Sequence, residues 1–342
     1  MHRRSVLAAL AASGALTTLA ACGGGDDSTT PGSASSQTTS SAGDGAFPVT
    51  IQHKLGSTTI EAAPTKVVTV GYNEEDFVLA LGVIPVGART PLGSYDASKR
   101  PWAVDLLPAG GITSVGQAEL NFETIASLEP DLIIGAYAYL EQADYDKLSQ
   151  IAPTIGDLVP AGQAANSTAA ASWQEELAAI GKALGKADEA SSLTDEVEGH
   201  FQTAADAHPE FTGKTVSVLL FNEGYYPLDS TDPRGNFFLQ FGFDENTAVD
   251  PKGLSEEQVG LLDTDVLVVL GRSAAEFASN PAAAALAVVT QGRTVYVPTF
   301  DSDFAGALGS SSPLSLPYAI EQAVPALAAA ADGDPGTVPG TL

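Results

Sequence analysis

Cysteine, histidine and positive charge are all scarce in this chain of 342 residues. Cys22 is the only cysteine, which leaves no thiol for catalysis elsewhere. Lys plus Arg total 15 against 42 Asp plus Glu, and the formal net charge of −27 opposes nucleic acid, whose binding needs clustered cations. None of the four histidines follows a predicted strand: His2, His53, His200 and His208. A directly bound metal ion or a His-ligated haem is therefore not expected, although a tyrosine could still ligate haem.

Short catalytic motifs are missing as well. The sequence contains no G-x-S-x-G elbow, no Walker loop and no G-x-G-x-x-G after a predicted strand. These absences disfavour the enzyme classes that depend on an activated serine or on a bound nucleotide. An enzyme is therefore not expected.

The N-terminus predicts an export signal with a lipid anchor. Residues 1–22, MHRRSVLAALAASGALTTLAAC, have a basic start and an apolar run that is too short for a confident membrane span. The run ends in LAAC, which resembles the bacterial lipobox, in which the cysteine, here Cys22, carries lipid. Residues 23–46 are mainly Gly, Ser, Thr and Asp and predict a flexible tether. We expect the protein on the extracytoplasmic face of the cell membrane, held by the lipid alone, with Sec or Tat export open.

One stretch of the sequence occurs twice. LNFETIASLEPDLII, residues 120–134, returns without a gap from residue 254 as LSEEQVGLLDTDVLVV. Each copy has a helix cap, Asn121 or Ser255, then two helical turns, an acidic turn and a strand. Both strands are continuously apolar, which is typical of a parallel sheet covered by helices on both faces. The repeat predicts two similar α/β lobes.

Strand and helix signals divide the chain into two lobes and a linking helix. The strand candidates fall at 66–71, 84–88 and 131–135 in the first lobe and at 215–221, 265–271 and 293–298 in the second. The lobes are expected at 47–185 and 210–331, with one long helix over 186–209 and a disordered tail over 332–342. The expected fold class is α/β: two Rossmann-like lobes with parallel sheets, joined by a single long α-helix, with a ligand cleft between them.

Several segments, taken in their order and spacing, resemble one family. They are HKLGSTTIEAAPTKVVTVGYNEEDFVLALGVIPVGA, FETIASLEPDLII, YDKLSQIAPTI, LSEEQV with DVLVV, and QGRTVYVP. Over about residues 50–331 the chain is similar to the substrate-binding lipoproteins of ABC importers of the iron-siderophore and cobalamin type. The members that bind ferric siderophores are the most similar.

The resemblance implies a function and its partners. Proteins of this family capture a ligand between their lobes and deliver it to the permease dimer of an ABC transporter. For this chain the resemblance implies a monomer without an enzymatic cofactor that binds iron already wrapped in a siderophore. Hydroxamate, catecholate and mixed siderophores all stay open, and cobalamin or haem is the alternative ligand.

Candidate cleft residues follow the predicted strands, because ligands bind beyond the carboxyl ends of parallel strands. In the first lobe they are Tyr72, Asn73, Arg89, Tyr137 and Tyr139, with Trp102 in a long excursion after the second strand. In the second lobe they are Asn222, Tyr225, Tyr226, Arg272, Phe300 and Asp301. Arg89 and Arg272 could balance an anionic chelate, or they could form ordinary salt bridges. The aromatic residues could bury a bulky ligand, or they could be core at the edge of a lobe.

Glu123 and Glu257 occupy the same place in the two copies of the repeat. The resemblance implies that a glutamate at this place on each lobe docks into arginine pockets of the permease, although Glu256 makes the second match ambiguous. A carboxylate on the first turn of a helix can also simply complement the helix dipole. A hydrolase that uses Glu123 and Glu257 as acid and base is a further alternative, which the placement on separate lobes disfavours.

Overall fold

The computed structural model describes residues 47–91, 93, 95–164, 167 and 169–342. The predicted signal peptide, its lipid site at Cys22 and the tether at 23–46 lie outside these residues. Among the helices of the described part, none combines the length and the apolar character needed to cross a bilayer.

The N-terminal lobe is a hairpin followed by a parallel sheet. The hairpin pairs strand β1 (Val49–His53) with β2 (Gly56–Ile60). The sheet consists of β3 (Val67–Thr69), β4 (Gly87–Ala88), β5 (Thr113–Ser114), β6 (Leu132–Ile134) and β7 (Thr154–Ile155). These strands lie in the order β5-β4-β3-β6-β7, and all neighbours are parallel. The helices are α1 (Glu74–Ala80), α2 (Phe122–Ser127), α3 (Gln142–Ser149) and α4 (Trp173–Leu184), with 3-10 turns at Ala97–Lys99 and Val104–Leu106.

One long helix, α5 (Ala187–Ala207), leads to the C-terminal lobe. The strands of that lobe are β8 (Thr215–Phe221), β9 (Tyr225–Leu228), β10 (Asp244–Glu245), β11 (Val266–Leu270) and β12 (Thr294–Val297). Their order is β10-β8-β11-β12 with parallel neighbours, and β9 pairs antiparallel with β8. The helices are α6 (Pro233–Leu239), α7 (Ala274–Phe277), α8 (Pro281–Ala284), α9 (Ala287–Thr290), α10 (Asp303–Ser310) and α11 (Ser315–Ala331), with 3-10 turns at Pro209–Phe211 and Glu256–Leu262.

Both sheets are covered on both faces, which explains why their central strands are continuously apolar. Leu132 and Ile134 of β6 face a large core that includes α4, α5, α11 and one face of the second sheet. Ile133 faces a separate core beneath α2 and α3. In β11 the residues alternate in the same way between the large core and a third core. Helix α5 packs against α4 of the first lobe and α11 of the second. It therefore connects the two lobes by packing as well as through the chain. The predicted fold class is confirmed.

The repeated unit has a structural role in each lobe. The side chain of Asp131 accepts hydrogen bonds from the backbone N–H groups of Thr65 and Lys66, just before β3. Its counterpart Asp265 accepts one from the N–H of Thr215 at the start of β8. Each aspartate thus fixes the start of its strand to the neighbouring strand.

The helix of the second copy differs from the prediction. Residues 122–127 form an α-helix, whereas Glu256–Leu262 forms a 3-10 helix. Gly260 lies within this second segment, and glycine is unfavourable in the interior of a helix because it loses the most backbone freedom.

The tail after α11, which the sequence predicts to be disordered, makes a backbone contact with the second sheet. The backbone N–H of Leu342 donates to the carbonyl of Tyr296 at 3.0 Å. Tyr296 belongs to β12, the edge strand of the sheet, whose outer carbonyl groups need partners. The tail provides one of them. The boundaries at residues 185 and 210 stay predictions.

Candidate functional site

A cavity of about 400 Å³ lies between the two lobes, at the carboxyl ends of their strands. Tyr72 follows β3, Arg89 follows β4, and Tyr137 follows β6, while Leu270 and Val297 end β11 and β12. The strand ends meet there because all these strands are parallel within their sheets. The lining of the cavity includes Tyr72, Asn73, Glu75, Asp76, Arg89, Tyr95, Arg100, Trp102, Tyr137 and Tyr139 from the first lobe and Arg234, Phe300, Gly306 and Ser310 from the second.

Arg89 is a buried cation that main-chain oxygens hold in place. Its Nε donates to the carbonyl of Gln117 at 2.7 Å, Nη1 to that of Val70 at 3.2 Å and Nη2 to that of Ala118 at 2.9 Å. The guanidinium also lies 4.2 Å from the ring centroid of Tyr72. Among the described residues no carboxylate forms an ion pair with it. The salt bridge considered as an alternative is therefore absent there, and two N–H donors of this side chain stay available.

Three tyrosines cluster beside Arg89. The rings of Tyr137 and Tyr139 are 5.1 Å apart, and those of Tyr72 and Tyr139 are 6.4 Å apart. Tyr139 has a positive φ of 52°, and Asp157 holds its loop by accepting N–H bonds from Ala138, Tyr139 and Leu140. Burial raises the pKa of the Tyr137 hydroxyl, so it stays protonated and can donate a hydrogen bond.

Trp102 forms a second aromatic wall with Tyr95. The two rings are stacked, with centroids 6.0 Å apart. The indole N–H of Trp102 donates to Asp76 at 2.7 Å, and the hydroxyl of Tyr95 donates to Asp303 of the opposite lobe at 3.1 Å. A Cβ on Gly306 would lie only 2.6 Å from the Tyr95 ring, so any larger residue at this contact would displace that ring.

Asn73 and Asp76 connect the lobes at the base of the cavity. The amide of Asn73 donates to the carbonyl of Ser310 at 3.2 Å and to Glu176 at 3.1 Å. Asp76 accepts a hydrogen bond from Ser312 at 3.1 Å. The predicted cleft residue Asn73 thus lines the cavity, but its donor group is already engaged in holding the lobes together.

Two carboxyl groups are buried behind this base. Burial and, to a smaller extent, the nearby charge of Asp157 raise the pKa of Glu74 to about 7, against the lowering effect of hydrogen bonds from the N–H groups of Tyr137 and Asn73. Burial raises the pKa of Glu176 well above its usual range, and the charges of Glu74 and Asp157 add to the effect. Oε1 of Glu176 and Oδ1 of Asn73 have no hydrogen-bond partner among the described residues. An ionised pair is therefore costly here.

The buried pair predicts a stability that falls as pH rises. A raised carboxyl pKa means that the folded protein keeps protons that the unfolded chain releases. The stabilisation is complete at a pH below the pKa of the unfolded chain, and it is lost as the pH rises through the pKa of the folded protein. For Glu74 the shift from 4.5 to about 7 corresponds to about 3 kcal/mol. We expect Glu176→Gln, which keeps an acceptor for Asn73, to be more stable than wild type at about pH 8 and to differ less at about pH 5.

Denaturant unfolding at both pH values measures this effect. Glu61→Gln is the matched control, because Glu61 is exposed, directly follows β2 and does not line the cavity. If Glu176→Gln and wild type lose stability in parallel as pH rises, the ionisation of Glu176 does not limit stability.

Five residues predicted for the cleft of the second lobe lie outside the cavity. They are Asn222, Tyr225, Tyr226, Arg272 and Asp301. For the first three the cause is the hairpin of β8 and β9, which turns back after Phe221 and carries Tyr225 against the third core. Arg272 lies 3.8 Å from the ring centroid of Phe221 and lines a separate pocket. Asp301 is exposed and does not line the cavity, whereas its neighbour Phe300 does.

The structure adds polar lining residues that the sequence analysis missed, among them Tyr95, Arg100 and Arg234 and the carboxylates of Glu75 and Asp76. Tyr95 and Arg100 belong to the same long excursion as Trp102. The sequence gives no strand or long helix there from which the direction of these side chains could be predicted. The sequence could have indicated Arg234, because Asp232-Pro233 is a typical helix start and places the next residue in the first turn of the helix.

Glu123 and Glu257 lie on different lobes, each at the second position of its helix. Both are exposed, and neither forms an ion pair with another described residue. The cap of the first helix is supplied by Asn121, whose side chain accepts the N–H of Thr124 at 3.0 Å. The two carboxylates are therefore not brought together into one site. Within the described residues no group of three His, Cys, Asp or Glu side chains could hold a metal ion.

Comparison with known proteins gives concordant results. A family model described as periplasmic binding protein matches residues 67–299. The chain is similar to the probable siderophore-binding lipoprotein YfiY of Bacillus subtilis, with 33% identity over 57% of this chain and 56% of that protein. It is also similar to the Fe(3+) dicitrate-binding periplasmic protein FecB of Escherichia coli, with 30% identity over 63% of this chain and 68% of that protein. The chain spans little more than half the length of YfiY.

Two solved structures share the architecture. A periplasmic solute binding protein from Mycobacterium smegmatis has a TM-score of 0.71 and 30% identity, over 83% of this chain and 98% of that one. PiaA of Streptococcus pneumoniae in complex with ferrichrome has a TM-score of 0.70 and 25% identity, over 84% of this chain and 99% of that one. These likenesses extend over both lobes.

Proposed function

This chain belongs to the periplasmic binding protein family, and we propose that it captures a ferric siderophore between its lobes for uptake by an ABC transporter. The observation that carries the proposal is Arg89, a buried cation without a carboxylate partner among the described residues, beside the tyrosines of an interlobe cavity. Such a cavity can bury a bulky chelate and donate hydrogen bonds to its oxygen atoms. Similarity to proteins named for siderophore or ferric citrate binding supports the same ligand class.

The cavity suits a preformed chelate better than a bare ferric ion. A tyrosine ligates iron as a phenolate, and burial raises the pKa of both Tyr95 and Tyr137, which disfavours that form. The same argument disfavours haem held by either tyrosine. Iron therefore enters with its own ligands, and the protein contributes shape and hydrogen bonds without catalysis or an enzymatic cofactor.

Binding is expected to quench the fluorescence of Trp102. Its indole lines the cavity, whereas Trp173, the other tryptophan, is buried in the large core. A ferric siderophore absorbs light strongly, so the tryptophan in contact with it should lose most of its emission. Titration of the full chain with ferric siderophores measures the effect.

Two variants assign this signal. Trp102→Phe should abolish most of the fluorescence quenching caused by the ligand. Trp173→Phe should leave that quenching intact. Haem and cobalamin are the competing ligands in the same titration. If haem or cobalamin binds more tightly than every ferric siderophore tested, that compound is the ligand and the proposal is wrong.

We further propose that lipid on Cys22 holds the protein at the extracytoplasmic face of the membrane, where it meets a permease dimer as a monomer. The LAAC sequence and the 24-residue tether after it support this location, and relatives are named as lipoproteins. Cys22→Ala should release the protein from the membrane fraction. Mass spectrometry of the mature N-terminus gives the check, and an unmodified Cys22 in membrane-bound protein would contradict the anchor.

A further inference from the structure

The cavity contains three guanidinium groups, but two of them are already neutralised. Arg100 is buried, with one nitrogen 2.8 Å from Glu75 and another 2.8 Å from Asp76. Arg234 donates from Nε and Nη2 to the two oxygens of Asp232, at 2.9 and 2.7 Å. Arg89 alone among these three lacks a carboxylate partner among the described residues. The three arginines thus face three carboxylates, those of Glu75, Asp76 and Asp232, and Arg89 is the one cation of the three that is left to pair with a ligand.

The surroundings of the cavity do not add positive charge. Glu74, Glu176 and Asp157 are buried behind its base, with no cation paired to any of them among the described residues. Asp303 lies at the opposite wall, where it accepts from Tyr95. A strongly negative ligand would find no surplus of positive charge in these surroundings, and it would lose its hydration without gaining matching cations.

The remaining groups suit an uncharged or weakly charged surface. Tyr72, Trp102, Tyr137, Tyr139 and Phe300 supply aromatic area and neutral donors. Tyr139 and Phe300 are 62% and 49% exposed, on opposite lobes, so both have area left to cover a ligand. Burial of aromatic area is insensitive to ligand charge, whereas ion pairing is not.

Building on the proposed function, we infer that the ligand is a ferric siderophore of hydroxamate type, with a net charge of zero or one negative. Three hydroxamates each bring one negative charge and leave a ferric complex neutral. Three catecholates each bring two negative charges and leave the complex triply negative. One uncompensated arginine matches the first kind of complex, with its free N–H groups directed at the hydroxamate oxygen atoms, and does not match the second.

Competition between chelates of different charge tests the inference. The full chain is titrated with a ferric trihydroxamate, a ferric tris-catecholate and ferric citrate. We expect the trihydroxamate to bind about 100-fold more tightly than either anionic complex, with little dependence on salt. If either anionic complex binds more tightly, the inference is wrong although the proposed function stands. If none of the three binds, the proposed function itself fails.

A variant separates charge from shape. Asp232→Asn keeps a good helix cap and exposes the charge of Arg234 to the cavity. It should raise the affinity for the tris-catecholate about tenfold more than the affinity for the trihydroxamate. Asp250→Asn removes the same charge from an exposed position outside the cavity and should change neither. Equal responses of both chelates to Asp232→Asn would overturn the role of charge.

Discussion

Replacing Arg89 with glutamine is expected to lower the affinity for the ferric siderophore by about 100-fold, the loss of about 3 kcal/mol of charge-assisted hydrogen bonding. The side chain lies beside Tyr72 in the cavity wall, and three main-chain carbonyls fix its position before any ligand arrives. This preorganisation means that little freedom is lost on binding, so the donors act at full strength. Fluorescence titration of the full-length variant measures the change.

Arg272→Gln is the matched control for this variant. Arg272 also follows a strand and also lies over an aromatic ring, that of Phe221, but it lies outside the cavity. Its replacement should change the affinity by less than about threefold. Arg89→Gln also leaves main-chain carbonyls without their donor, so the melting temperature of this variant has to be recorded. Arg89→Lys keeps the positive charge and serves as the variant that disturbs these carbonyls less. Wild-type affinity in a folded Arg89→Gln protein would contradict the proposed binding mode.

Replacing Glu123 and Glu257 together with alanine is expected to lower transporter association and uptake by at least about tenfold, while ligand affinity stays unchanged. Both carboxylates are exposed and form no ion pair with a described residue, so their removal costs no internal contact. The loss of favourable helix-dipole interactions is worth about 0.3 to 1 kcal/mol each, which limits the fall in melting temperature to a few degrees. Uptake of iron from the siderophore at equal expression measures the effect.

A second pair of acids provides the control for docking. Glu119→Ala with Glu256→Ala removes the same charge from positions close in sequence to the first pair, and both residues are exposed. Uptake by this variant should stay near wild type. If it falls while the Glu123 and Glu257 variant transports normally, Glu256 is the docking residue and the match by sequence repeat was made one position too late. A collapse of ligand affinity in either variant would contradict docking altogether.

Local sequence patterns were sufficient for the fold class and for the part of the first lobe in which lining residues directly follow strands. Continuous apolar strands and the repeated unit predict parallel sheets in two lobes, and the residues after β3, β4 and β6 line the cavity as expected. Those strands are followed by loops that stay at the sheet edge. The rule that ligands bind beyond the carboxyl ends of parallel strands holds wherever the loop stays at that edge.

The second lobe shows where the same rule fails. The segment FNEGYYPL reads as an aromatic loop after β8, but Glu223 adopts a positive φ of 56° and the chain returns as the antiparallel strand β9. Asn222, Tyr225 and Tyr226 are thereby removed from the cavity. Phe300, three residues after the end of β12, does line the cavity, because no hairpin turns the chain back there.

Contacts between distant residues were the other limit. Asp76 lies on α1, yet it pairs with Arg100 and accepts from Ser312 of the opposite lobe. No spacing along the chain indicates such a partner, since the contact is created only when the lobes pack. The charge balance of the cavity, on which its ligand preference depends, could therefore be obtained only from the structure.

Calorimetric titration of the full-length chain with ferric siderophores tests the central claim most directly. We expect one ferric siderophore per chain, bound with a Kd of about 1 μM or tighter, and binding at least about 100-fold weaker for the iron-free siderophore, for haem and for cobalamin. A chain that binds no ferric siderophore, or that binds haem or cobalamin more tightly, would contradict the account.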